Sequence, residues 1–324
     1  MSQFLRTLAG LSLLLMSSAT VLAQQPKMVK IGFVSWWAPE MTRHVEQVRQ
    51  GLRDFGYVDG KNIEFESYFT DGNREKTREV LGSLVDRGVD ILIVSTTPAI
   101  HIAKELTQKI PVVMAPVADP VSTGLVQSLA HPGGNLTGIT MVGADLAGKR
   151  LELLREIIPD IRTVAFLGST RDPNTVTFVR GTKAAADKIG IKLIEKMVDG
   201  PGAIDETVFK DMKSDGVQAV VVQPIFMGTQ NKIVSLAMKA QLPVISDFLL
   251  FAEAGALVTY GVDDDGQLRR AAYYVDRILK GTSPADLPIE GPTSFKLGVN
   301  TATAKALGLT IPQSLLFRAD LVIE

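Results

Sequence analysis

Residues 90–116 read DILIVSTTPAIHIAKELTQKIPVVMAP. The first six, Asp90 to Ser95, are a short apolar run, too brief for a helix and the right length for a strand buried on both faces. Ala99 to Lys109 gives about three helical turns, and Pro98 stands where the first turn of a helix tolerates proline. Pro111 to Pro116 is a second short apolar run. Strand, helix, strand in this order is a crossover unit, which requires parallel pairing and a right-handed connection.

The alternation continues on both sides. Lys30 to Ser35 (KIGFVS) is a short apolar strand. Residues 39–55 carry Met41, Val45, Val48, Leu52 and Phe55 at helical spacing, and Gly56 follows as a cap. Residues 62–69 (NIEFESYF) alternate apolar and polar, as a strand near a sheet edge does. Residues 73–87 form an amphipathic helix with Val80, Leu81, Leu84 and Val85 inward. The pattern then restarts. Strands at 163–168, 191–197, 219–223 and 243–246 alternate with helices at 174–189, 203–214 and 229–240, and another apolar strand covers 256–260.

The fold class is therefore α/β, with two Rossmann-like lobes built on parallel sheets. The chain is expected to pass between them near residues 143–147, at Gly261 to Gly266, and near Gly291-Pro292, making a hinge of several crossings. One lobe is expected over 27–143 plus about 262–290, and the other over 144–261 plus about 291–324. The acidic run Asp263-Asp264-Asp265 is expected to lie solvated in the hinge loop.

The 324 residues include 34 Lys and Arg against 35 Asp and Glu. That balance argues against nucleic acid, whose recognition needs a concentrated basic face. There is no cysteine, which excludes disulfides, thiolate chemistry and lipid attachment through an N-terminal thiol. The three histidines, His44, His101 and His131, are far apart and read as surface or capping residues, so no metal or cofactor is expected. At the N-terminus, Arg6 precedes the apolar stretch Leu8 to Met16, and Val21-Leu22-Ala23 gives a small-residue cleavage site. Residues 1–23 read as a cleavable secretory leader, its core far shorter than the ~20 residues that span a bilayer.

In open parallel sheets, ligands collect beyond the carboxyl ends of the strands. The residues there are Ser35-Trp36-Trp37, Ser95-Thr96-Thr97, Asp119, the run Ser169 to Asn174, Pro224 and Phe226, Asp247-Phe248, and Tyr260. Ser95, Thr96 and Thr97 open a helix, where hydroxyls and free N–H groups suit a carboxylate or serve as an ordinary cap. Asp119 suits an ammonium, or starts a turn before Pro120. Trp36, Trp37, Phe226, Phe248 and Tyr260 could stack on a flat ligand or fill the core, with at most one of the adjacent tryptophans facing inward. Asn174, Pro224 and Asp247 complete the candidate set. There is no GxSxG nucleophile elbow, no GxxxxGK[ST] loop and no GxGxxG after the first strand, so no enzyme is indicated.

Three longer runs carry a family resemblance. They are ADPVSTGLVQSLAHPGGNLTGIT (118–140), GKRLELLREIIPDIRTVAFL (148–167), and the C-terminal 65 residues from YGVDDDGQLRRAAYYVDRILKG to LLFRADLVIE (260–324). They resemble the ABC-transporter substrate-binding proteins of the tryptophan/tyrosine-binding type, over the whole chain after the leader. The chain departs from that pattern at Gly291 and in the bulky Ser35-Trp36-Trp37 segment. The resemblance implies a type I periplasmic-binding-protein fold, a small solute held between the lobes, and delivery to an ABC permease. An amino acid is expected, with Ser95 to Thr97 on its carboxylate, Asp119 on its ammonium and an aromatic wall on its side chain. A periplasmic monomer is expected. A sensory co-receptor and a binder of some other solute remain the alternatives.

Overall fold

A computed structural model describes residues 28–38, 41–141 and 145–324. The leader reading over 1–23, part of the first crossing and the start of the first helix lie outside the described residues. The first half runs β1 (Val29–Ser35), α1 (Thr42–Asp54), β2 (Ile63–Phe69), α2 (Arg74–Asp86), β3 (Ile91–Val94), α3 (Thr97–Leu106), β4 (Val112–Ala118) and β5 (Leu136–Met141). Its five strands pair in the order β2-β1-β3-β4-β5, all parallel. The second half runs α4 (Ala147–Ile157), β6 (Thr163–Ser169), α5 (Thr175–Lys188), β7 (Lys192–Val198), α6 (Glu206–Ser214), β8 (Ala219–Val222), α7 (Gln230–Lys239), β9 (Val244–Ser246), α8 (Leu249–Glu253) and β10 (Val258–Val262). After it come α9 (Asp264–Leu279), β11 (Phe295–Asn300), α10 (Thr301–Ala306), α11 (Gln313–Leu316) and β12 (Leu321–Ile323).

The second sheet has seven strands in the order β12-β11-β10-β9-β8-β6-β7. It corrects the expectation of purely parallel sheets, because β10 and β11 are antiparallel. The chain leaves the second sheet after β10, forms α9 against α1, β4 and β5, and comes back through residues 290–295 to enter β11 from the opposite end. On that return, Glu290 bridges to Ile139 beside β5. A strand entered after such an excursion need not keep the crossover sense of its neighbours.

Each sheet is covered on both faces, which is why its central strands are wholly apolar. Ile31, Phe33, Val48, Leu52, Tyr274 and Val275 pack one face of the first sheet, and Val34, Leu81, Leu84, Leu92 and Ile100 the other. Phe55 does not join Val48 and Leu52, since it follows the last turn of α1 and is exposed. The acidic run is not a solvated loop. Asp263 caps α9 by accepting from Gly266 N, and Asp264 and Asp265 fill the first helical turn, where the helix dipole favours negative charge. Asp264 and Asp265 reach His44 and Arg43 on α1. His44 is thereby completely buried, against the expectation of a surface or capping role.

The NLTGIT segment is β5, a strand its glycine obscures. Gly138 has φ +134°, and a Cβ there would stand 2.4 Å from Met114 O on β4. Only glycine lets the two strands approach at this point. Gly138→Ala is expected to destabilise the full chain by about 2–4 kcal/mol, read by urea unfolding. A change below about 0.5 kcal/mol would contradict this account of β5.

Candidate functional site

The carboxyl ends of β1, β3 and β4 face those of β6 and β8 across the junction of the two lobes. Between them lies a cleft of about 360 Å³, counting the space open to solvent. The first lobe supplies Trp37, Thr96, Thr97, Pro116, Ala118 and Met141, and the second supplies Asp172, Phe178, Pro224, Ile225 and Phe248. A second chamber of about 400 Å³ adjoins it, sharing Trp37 and Ile225 and adding Trp36, Asp71, Ser169, Arg171 and Phe226. Both tryptophans therefore line the cleft, against the expectation that only one would. They leave β1 at its end, and the chain turns there so that Gly72 N donates to Trp36 O at 2.7 Å while Asp71 N donates to Trp37 O at 3.2 Å.

The turn before α3 is the most polar part of the wall. Thr96 is its N-cap residue at φ +70°, a conformation that β-branched residues rarely adopt. No side chain caps this helix. The hydroxyls of Ser95 and Thr96 are buried without hydrogen-bond partners. Thr97 Oγ1 accepts a hydrogen bond from Asn174 Nδ2, joining the lobes through two buried side chains. Asn174 is the residue before α5, and its Oδ1 is also buried without a partner. Ser35 is more remote in role: its hydroxyl accepts from Trp37 N at 3.3 Å and so braces the tryptophan turn.

The remaining candidates divide. Pro224 lines the main cavity and Phe226 the adjoining one. Asp119 lies in a neighbouring pocket at the mouth, where its Oδ1 accepts from Ser122 N at 3.1 Å and its carbonyl accepts from Thr123 N and Thr123 Oγ1. That is the work of a turn residue. Asp247 and Tyr260 are not brought to the cavity. Asp247 is buried in an ion pair with Arg150 of α4, whose Nε also donates to Tyr260 O at 2.9 Å. The Tyr260 ring stacks on Phe295, 6.3 Å between centroids. Burial pushes the Asp247 carboxyl up to about 6, against the opposing pull of the Arg150 charge.

Asp172 was a strand-end residue in sequence but not singled out. It is buried in the cavity wall, accepting from Asn174 N at 3.0 Å and Gln223 Nε2 at 2.7 Å. Burial pushes its carboxyl up to about 6, and hydrogen bonds from the Asn174 backbone, the Gln223 side chain and the Asn174 side chain pull the other way. Phe178 and Met141 were also passed over. One is on the inner face of α5 and the other at the end of β5, and neither position carries a signal that separates cavity wall from core. Among the described residues no group of three or more His, Asp or Glu could hold a metal ion, and no helix is long and apolar enough to cross a membrane.

Two α/β lobes with a cleft between facing strand ends have the architecture of a two-lobed solute receptor. The chain belongs to the ABC transporter substrate binding protein family, whose sequence profile matches residues 31–323. A tyrosine-binding protein of Clostridioides difficile (strain R20291) is 25% identical over 272 residues, covering 84% of this chain and 78% of that one. The crystal structure of an ABC domain from Streptococcus pneumoniae in complex with L-Trp superposes with a TM-score of 0.85 at 28% identity, over 91% of this chain and 100% of that one. A conserved domain protein from Vibrio cholerae gives 0.86 at 26% identity, with the same coverage. The architecture is that of a type I periplasmic binding protein. Membership implies a small-molecule ligand, a transporter permease as partner and work outside the cytoplasm.

The buried Arg150–Asp247 pair stands outside the lining of both chambers. Asp247→Ala is expected to cost about 3–5 kcal/mol of stability by stranding the buried guanidinium. Solute affinity of the folded fraction should stay within about twofold, since neither Asp247 nor Arg150 lines the cavity. Calorimetry at a temperature where the variant is folded reads both, and a tenfold loss of affinity would return Asp247 to the site.

Proposed function

We propose that this chain is the periplasmic receptor of an ABC importer for an α-amino acid with a flat, apolar side chain. The observation that carries the reading is the main cavity. Its walls are Trp37, Phe178, Phe248, Met141 and Ile225, and its polar groups are Thr96 and Thr97 at the α3 N-terminus and Asp172 on the other lobe. A zwitterion with an aromatic side chain has that same division between a charged head and an apolar body. Ser95, Thr96 and Thr97, with the first N–H groups of α3, take the carboxylate. The L-Trp complex of the pneumococcal protein and the tyrosine-binding clostridial protein support an aromatic amino acid.

The reading extends to the whole molecule. Residues 1–23 are a leader removed on export, and the mature chain acts as a monomer that binds without turnover and without nucleic acid. One lobe is residues 27–143 with about 262–290, and the other 144–261 with about 291–324. The packing of α9 on α1 supports the first assignment, and the addition of β11 and β12 to the second sheet supports the other. Solute binding favours the closed arrangement that the Thr97–Asn174 hydrogen bond spans, and that arrangement is what the permease receives.

L-tryptophan or L-tyrosine at about 100 times its Kd should stabilise the protein by about 2.7 kcal/mol, visible as a raised melting midpoint. Trp37→Ala should weaken that binding at least about tenfold by removing one face of the cavity. A chain that responds to no amino acid but to another class of solute would contradict the reading.

A further inference from the structure

Two buried carboxylates stand near the lobe junction, and only one has a countercharge. Asp247 has Arg150. Asp172 is 8% exposed, and its partners, Asn174 N and Gln223 Nε2, are neutral. Among the described residues, the elements around it bring no cation into ion-pair contact. The end of β8 brings Gln223, α5 brings Asn174, and α3 brings Thr96, Thr97 and Pro98. The neighbouring Arg171 turns its guanidinium to Asp199, at 3.1 and 2.7 Å. Asp172 also borders an open groove along α5 that Arg180, Lys183, Asp187 and Glu195 line, and none of these four forms an ion pair with it. A carboxylate buried without a countercharge is unfavourable unless something else supplies the charge.

We infer that Asp172 is the seat of the solute's ammonium group, so that the cleft selects zwitterionic amino acids over their des-amino counterparts and releases them as the pH falls. This rests on the amino-acid reading of the cleft. Two further observations support it. Asp172 lines the same cavity as Thr96 and Thr97, so the two ends of a zwitterion meet opposite lobes. Asn174, two residues away, lines the adjoining pocket that shares Ala118, Met141 and Phe178 with this cavity, and its Oδ1 is a buried acceptor without a partner. A zwitterion held in this way bridges the lobes, and a des-amino acid, touching only the first lobe with its charge, does not.

The pH dependence follows from the same geometry. Burial holds the free Asp172 carboxyl up to about 6, so a proton occupies it in mildly acidic solution. A bound ammonium favours the ionised form and lowers that value. The complex then carries fewer protons than the free protein, and affinity falls by up to about tenfold per pH unit below the free value.

Isothermal titration of the full chain with L-tryptophan and with indole-3-propionate, at about pH 7.5 and about pH 5, tests this. At the higher pH the wild type should prefer L-tryptophan by at least about 30-fold. Between the two pH values L-tryptophan should weaken about tenfold, and indole-3-propionate should not weaken. Asp172→Asn, which keeps the shape and removes the charge, should shrink the preference to about threefold or less and abolish the pH slope. The wild-type comparison needs no variant and stands if the substitution fails to fold. A wild type that binds both compounds equally, or an Asp172→Asn protein that keeps both the preference and the slope, overturns the inference. So does loss of the preference in Asp119→Asn instead. Failure of the wild type to bind L-tryptophan or L-tyrosine at all would sink the amino-acid reading and this inference with it.

Discussion

Asn174 donates to Thr97 across the junction of two lobes, and both side chains are buried. That hydrogen bond is worth only about 0.5–1.5 kcal/mol net, yet the arrangement of the cleft depends on what surrounds it. Each lobe ends its strands in polar groups that the lobe alone does not satisfy: Ser95 and Thr96 on one side, Asn174 Oδ1 on the other. Buried polar atoms without partners are costly, and they are rare in folded proteins. Thr96 lines the main cavity and Asn174 the adjoining pocket, so these groups border the space proposed for the solute.

The two buried aspartates show how the same side chain takes opposite roles. Asp247 is matched by Arg150, which also holds the Tyr260 carbonyl, so α4, β9 and β10 are tied together behind the cleft. Gly261 permits this closeness, since a Cβ there would stand 2.2 Å from Asp247 O. Asp172 receives only neutral donors and faces the cavity. Burial raises both carboxyls to about 6, so burial alone does not distinguish them. The presence or absence of a cationic neighbour does.

Much of this was legible in the sequence. The apolar runs at 30–35, 90–95, 163–168 and 219–223 gave the central strands because a strand buried on both faces has no polar position to hide it. Gly56 marked a helix end through the positive φ that a C-terminal cap needs. Legibility failed where a tertiary contact overrode a local pattern. Gly138 breaks the apolar run of β5 because β4 lies against it. The Asp263 to Asp265 run resembles a solvated loop until α1 supplies His44 and Arg43. Within the site, the strand-end rule found the Ser95 to Thr97 turn and the Trp36-Trp37 segment. It did not separate Asp172 from Asp119 and Asp247, because that choice depends on which carboxylate has a cation beside it, and Arg150 lies 97 residues from Asp247.

The central claim is that the solute lies between the lobes, with its side chain among Trp37, Phe178 and Phe248 and its charged head between the α3 N-terminus and Asp172. A crystal structure of the full chain grown with L-tryptophan tests it most directly. The account predicts density for the amino acid in that cavity, the carboxylate on Thr96 and Thr97 and the ammonium on Asp172. Amino-acid density seated elsewhere, or reversed with its carboxylate against Asp172, would contradict it.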